Sequence, residues 1–205
     1  MNKFKKAGPN LLITALSVSL LTAFWGCSST PTAKSGAVVS PPGTTTTVIM
    51  VRHAERAKEH GQSALTPAGR QRAQALVAAI GDKEITAIYS PDRGRNRETV
   101  QPLASHLGLT ITLIPETRLF NTRRFADEFV QEILSQHAGG VVVWVGNKSP
   151  VGIWGGNLKE IYLRLGGTGA PPANYDDLFI ITVPDQGAVD VKKTSYGRSA
   201  GRFDQ

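Results

Sequence analysis

The 205-residue sequence predicts an α/β fold, a three-layer sandwich with a mostly parallel central sheet. Short β-branched, apolar runs recur along the chain, as strands buried on both faces require. Segments with apolar residues at helical spacing separate these runs. Two late runs joined by a four-residue turn, Pro184-Asp185-Gln186-Gly187, read as a closing hairpin.

The first strand is Thr46–Val51. Thr66 caps and Pro67 opens a helix that carries Ala73, Leu76, Val77 and Ile80 on one face and stops at Gly81. Ile85–Tyr89 forms the second strand. Asn96–Leu107 is the next helix, ended by Gly108, with Pro102 placed in its first turns or bending it. Leu109–Ile114 is the third strand, and Phe125–His137 a helix with Phe125, Phe129, Ile133 and Leu134 on one face. Gly140–Val145 is the most apolar run and therefore central. Val151–Leu165 reads as a helix, and Leu178–Val183 and Ala188–Val191 as the hairpin strands.

Composition narrows the functional classes. One cysteine excludes a disulfide framework and any cysteine-based zinc cluster. Residues 1–26 have the pattern of an export signal: lysines at 3, 5 and 6, an apolar run over Leu11–Phe24, and Gly26 before Cys27. Gly26-Cys27 is similar to the lipobox of bacterial lipoproteins, although Phe24 and Trp25 depart from its usual residues. Cys27 is thus expected to carry lipid, and residues 27–45, rich in Ser, Thr, Pro, Gly and Ala, to be a tether. That leaves 46–205 as the folded domain, exported and lipid-anchored at a membrane of a bacterial cell envelope. The formal charge of +7 falls to +4 without the leader's three lysines. Such an excess suits an anionic small molecule and does not argue for a nucleic-acid partner.

In a parallel sheet the ligand sits beyond the carboxyl ends of the strands. Arg52-His53-Ala54-Glu55-Arg56 follows the first strand, Ser90 through Thr99 with Arg93, Arg95 and Arg97 follows the second, and Gly146-Asn147-Lys148-Ser149 follows the central one. Two cationic clusters and a histidine at one sheet edge make a pocket for a dianion, because guanidinium forks match phosphate oxygens and a neutral imidazole can attack phosphorus.

Val-Arg-His-Ala-Glu at 51–55, Leu-Thr-Pro-Ala-Gly at 65–69 and Ile-Tyr-Ser-Pro-Asp…Arg95…Thr99 resemble the histidine phosphatase superfamily, also called phosphoglycerate mutase-like. Tyr175-Asp176-Asp177-Leu178 is similar to a late strand of its small bacterial members. The resemblance implies that His53 is a nucleophile forming phosphohistidine and that Arg52 and Arg95 grip the phosphoryl oxygens. It places Glu55 behind His53 as an orienting residue, and Arg56 as a further contact. It requires no metal or other cofactor, and its substrates are phosphorylated small molecules or phosphoproteins.

Two departures from that family pattern stand out. Asn147 occupies the position of the second pocket histidine, so an uncharged amide stands where the family has an imidazole. The position of the usual general acid aligns with Asn121, leaving Glu116, Asp127 and Glu128 as nearby carboxylates. A phosphatase working through His53 and a membrane-tethered pseudophosphatase that binds phosphate ligands without turnover both fit the sequence. His60, next to the nucleophile loop, is a further candidate, whereas His106 and His137 read as residues favoured at helix C-termini.

Overall fold

The sheet has six strands in the order β3-β2-β4-β1-β5-β6: β1 (Thr45–Arg52), β2 (Ile85–Pro91), β3 (Ile111–Ile114), β4 (Val141–Gly146), β5 (Asp177–Pro184) and β6 (Asp190–Ser195). The first four run parallel, β5 pairs antiparallel with β1, and β6 returns antiparallel to β5 to form the expected hairpin. The computed structural model describes residues 38–58, 63–148 and 156–199. The expected export signal and Cys27 lie outside these residues, as do His60, Ser149 and Trp154.

The helices are α1 (Pro67–Ile80), α2 (Gly94–Leu107), α3 (Thr122–Gln136) and α4 (Asn157–Arg164). Strand alternation sends β1 side chains to two cores. Val48 and Met50 join Trp144, Phe125, Phe129, Ile161 and Tyr162 under α3 and α4. Ile49 and Val51 join Val143, Val145, Leu76, Ile80 and Leu103 under α1 and α2. Burial on both faces explains why these strands are continuously apolar. Trp144 is fully buried and packs its ring 4.8 Å from that of Phe129.

Several boundaries differ from the sequence reading. α2 begins at Gly94 and runs through Pro102, whose missing N–H deprives the Glu98 carbonyl of its helical partner. α3 starts three residues early because Asn121 accepts from the Arg124 N–H at 3.1 Å and so caps it. β3 is shorter than expected and β6 extends to Ser195. The C-terminal part of the expected 151–165 helix is α4, and 151–155 lie outside the described residues. Residues 38–44, read from composition as the end of the tether, bind the sheet: Ser40 Oγ donates to the Val183 carbonyl at 2.6 Å and accepts from Thr46 N–H at 3.2 Å.

The Leu-Thr-Pro-Ala-Gly segment has a clear packing reason. Thr66 Oγ1 caps α1 by accepting from Gly69 N–H at 3.0 Å, and Thr66 N–H donates to the Glu55 carbonyl at 2.9 Å. This brings the first turn of α1 onto the backbone just after His53. A β-carbon at position 69 would overlap the Glu55 carbonyl oxygen, so only glycine fits. Gly69→Ala should therefore lower unfolding stability by about 1–3 kcal/mol, the usual cost of overpacking, as read by urea denaturation.

Candidate active site

β1, β4 and β2 lie side by side and parallel, so the segments leaving their carboxyl ends converge. Arg52 and Gly146 are paired in register, and the His53 N–H continues the ladder by donating to the Gly146 carbonyl at 3.1 Å. That bond fixes His53 one step beyond the sheet. Its side chain is 2% exposed.

The His53 ring is fixed in one tautomer. Nδ1 lies 2.8 Å from the Ala54 carbonyl oxygen. A carbonyl only accepts, so Nδ1 carries the proton and Nε2 keeps its lone pair. Burial, followed by the charges of Arg52, Arg95 and Arg56, pushes the imidazole down to about 3 against the pull of the Ala54 bond. The ring is therefore neutral across the physiological range.

Arg95 sits in the first turn of α2, is 4% exposed, and donates from Nη2 to Asn147 Oδ1 at 3.2 Å. Burial, then the Arg93 and Arg56 charges, push it down to about 10, which leaves it cationic at neutral pH. Arg52 is lowered as well, chiefly by burial. Asn147 is held at its backbone, where its N–H donates to Asn157 Oδ1 of α4 at 2.8 Å. With Oδ1 taken by Arg95, its amide NH2 remains as the donor end.

The next residues of α2 brace the pocket. Asn96 Nδ2 donates to the Val145 and Gly146 carbonyls at 3.3 and 3.4 Å. Glu98 Oε2 accepts from Leu65 N–H at 2.9 Å, and Thr99 Oγ1 accepts from Ala54 N–H at 2.9 Å while donating to the Arg95 carbonyl at 2.7 Å. Two turns of one helix thus hold the ends of β4, the nucleophile loop and the approach to α1.

The architecture and this constellation meet in the comparisons with known proteins. The model of the histidine phosphatase superfamily (branch 1) matches residues 48–166, more than half of the chain. The chain belongs to this superfamily. Probable phosphoglycerate mutase GpmB of Erwinia tasmaniensis is 33% identical over 81 residues, 36% of this chain and 38% of that relative, so the match spans well under two thirds of the relative's length. Among solved structures, a putative alpha-ribazole-5'-P phosphatase from Escherichia coli superposes with a TM-score of 0.57 at 15% identity, covering 76% of this chain and 98% of that one. The protein histidine phosphatase SixA complexed with tungstate gives 0.53 at 15%, covering 73% and 96%. Phosphoglycerate mutase from Bacillus anthracis gives 0.52 at 15%, covering 74% and 93%. These three share the fold.

For a histidine phosphatase superfamily chain, the structure gathers His53, Arg52, Arg95 and Asn147 at one sheet edge. Arg56 lies within electrostatic reach of His53, Arg52 and Arg95. Glu55 is placed differently from the sequence expectation: its carboxylate binds Arg72 bidentately at 2.7 to 3.0 Å, and Ala54 is what orients His53. Asn121 is spent as the α3 cap. Asp127 pairs with Arg164 and Glu128 with Arg124 on exposed surfaces, while Glu116 pairs with Arg93 Nε at 3.0 Å beside Arg95. Lys148 is exposed. His137 Nε2 lies 2.8 Å from Tyr89 Oη, away from the pocket residues. No cluster of three or more metal-ligating side chains exists among the described residues.

Sequence reasoning missed Asn96, Glu98, Arg72 and the role of Tyr175. A signal existed for Arg72, a charge between Gly69 and Leu76 on the apolar stripe of α1. Tyr175 comes from the loop before β5, with its ring 5.7 Å from that of His53 and its face 4.1 Å from Arg52 Cζ.

The depressed His53 makes a thermodynamic prediction. Between pH 6.5 and about 3 the unfolded histidine binds a proton that the folded one refuses. Stability should therefore fall as pH drops through that window, by up to about 1.4 kcal/mol per pH unit for this one group. His53→Asn should show a shallower fall by about that slope when urea denaturation is repeated from pH 7 to pH 4.

Proposed function

We propose that this chain is a phosphatase that hydrolyses a phosphomonoester or phosphohistidine through a phosphoenzyme on His53. The observation that carries the reading is the buried, neutral imidazole whose Nδ1 proton is committed to Ala54, which leaves the Nε2 lone pair as the nucleophile. In the first step Nε2 attacks phosphorus and the bond to the leaving atom breaks, the ester oxygen or the nitrogen of a phosphohistidine, the phosphoryl group moving to His53 and the leaving group taking a proton from solvent. In the second, water attacks phosphohistidine, inorganic phosphate departs and the neutral ring returns. Arg52, Arg95 and the amide of Asn147 supply donors where charge spreads over the phosphoryl oxygens.

The ion-paired carboxylates around the site narrow the substrate. Asn121 holds no acidic proton, and Asp127 and Glu128 are paired on exposed surfaces. Substrates whose leaving atom needs little protonation fit such a site best, phosphohistidine and aryl phosphates among them. At the N-terminus, the export signal and Cys27 support a lipid-anchored location in a bacterial envelope, with the membrane as partner.

A second reading, a phosphate-binding pseudophosphatase, draws on one observation: Asn147 brings no charge and its oxygen is already occupied by Arg95. The two readings separate on turnover. The phosphatase reading expects para-nitrophenyl phosphate hydrolysis that is lost in His53→Ala and that persists to acidic pH, because the ring does not protonate above about 3. It also expects Asn147→His to raise kcat/KM by up to about 100-fold, the usual worth of one electrostatic donor. Phosphate binding without His53-dependent hydrolysis would establish the pseudophosphatase.

A further inference from the structure

The Tyr175-Asp176-Asp177-Leu178 segment has no part in the chemistry above, yet it touches both principal groups of the site. The Tyr175 ring stacks on the Arg52 guanidinium with 4.1 Å from Cζ to the ring centroid, and Arg52 Nη2 donates to Tyr175 Oη at 3.4 Å. Arg52 Nη1 donates to the Ala173 carbonyl at 2.8 Å. The loop is itself built to present these acceptors. Asp177 Oδ2 accepts from the N–H groups of Ala173 and Asn174 at 2.7 and 2.8 Å, drawing the chain into a tight turn at the start of β5.

The consequence falls on the remaining edge of Arg52. Its Nε is buried and has no acceptor among the described residues. A buried N–H without an acceptor is costly, and an anion oxygen that reached it would relieve that cost. The far end of the guanidinium is thus anchored by the loop while Nε faces an unmet demand.

We infer that Tyr175 is a positioning residue that holds Arg52 from its far end, so that the Nε edge is preorganised for a phosphoryl oxygen at His53. The aromatic face supplies most of this hold, since the Oη contact is long and the ring lies directly over the guanidinium. This inference rests on the proposed phosphoryl site but not on its turnover.

The test is calorimetric binding of tungstate, an unreactive phosphate mimic, to the whole chain and to Tyr175→Phe and Tyr175→Leu, with unfolding temperature measured in parallel. The expected result is a Phe variant within about threefold of the parent and a Leu variant weaker by roughly tenfold, the scale of a partly buried cation–π contact, with little change in unfolding temperature. Should the Leu variant not fold, Tyr175→Met fills the same space without a π face and carries the same expectation. Equal affinity in the Leu or Met variant overturns the inference. A Phe variant as weak as the Leu variant also overturns it, because the hydroxyl would then be the anchor. The expected binding pattern in a parent that hydrolyses nothing upholds the role of Tyr175 and removes the phosphatase reading. A parent that binds no tungstate removes both.

Discussion

The site depends on the first two turns of α2. Arg95 reaches Asn147, Asn96 holds the last carbonyls of β4, Glu98 takes the amide of Leu65, and Thr99 takes the amide of Ala54. Four side chains of one helix therefore tie together three segments that are separate in sequence. Each bond contributes about 1 kcal/mol net, but leaving its buried partner unmet would cost about 1–3 kcal/mol. The clamp is for that reason cooperative, and the spacing of its residues in one helix sets the spacing of the pocket.

That geometry concentrates positive charge around a buried imidazole. Arg52, Arg95 and Arg56 act on a buried imidazole, and burial lowers both Arg52 and Arg95 from the usual guanidinium range. The protein answers by keeping His53 neutral. On the proposed function, a phosphoryl group would supply the compensating negative charge beside these guanidinium groups. Glu55, the acid nearest His53 in sequence, is ion-paired with Arg72 of α1, and its charge is the smallest of those that act on Arg52.

Much of this was legible in the residues. The apolar runs at 46–51 and 140–145 and the caps at Thr66 and Gly108 follow local rules, and the structure places β4 centrally as its composition implies. His53, Arg52 and Arg95 were readable because strand ends carry chemistry in parallel sheets. The α2 clamp was not, because Asn96 and Glu98 bond to backbone groups of residues 49 and 33 positions away in the chain, respectively. Helix spacing says nothing about such distant partners. The partner of Glu55 is not legible for a similar reason: Arg72 lies on another element. The role of Tyr175 depends on a loop turned by Asp177, more than 120 residues from Arg52 in sequence.

The central claim is that Nε2 of His53 is a nucleophile toward phosphorus. The most direct test mixes the whole chain with phosphoramidate, a small donor that needs no substrate recognition, and follows the protein by phosphorus NMR and peptide mapping. The expected result is an acid-labile, alkali-stable phosphoryl adduct on His53 Nε2, absent from His53→Ala. An adduct on any other residue, or none under conditions where the pocket binds tungstate, would contradict it.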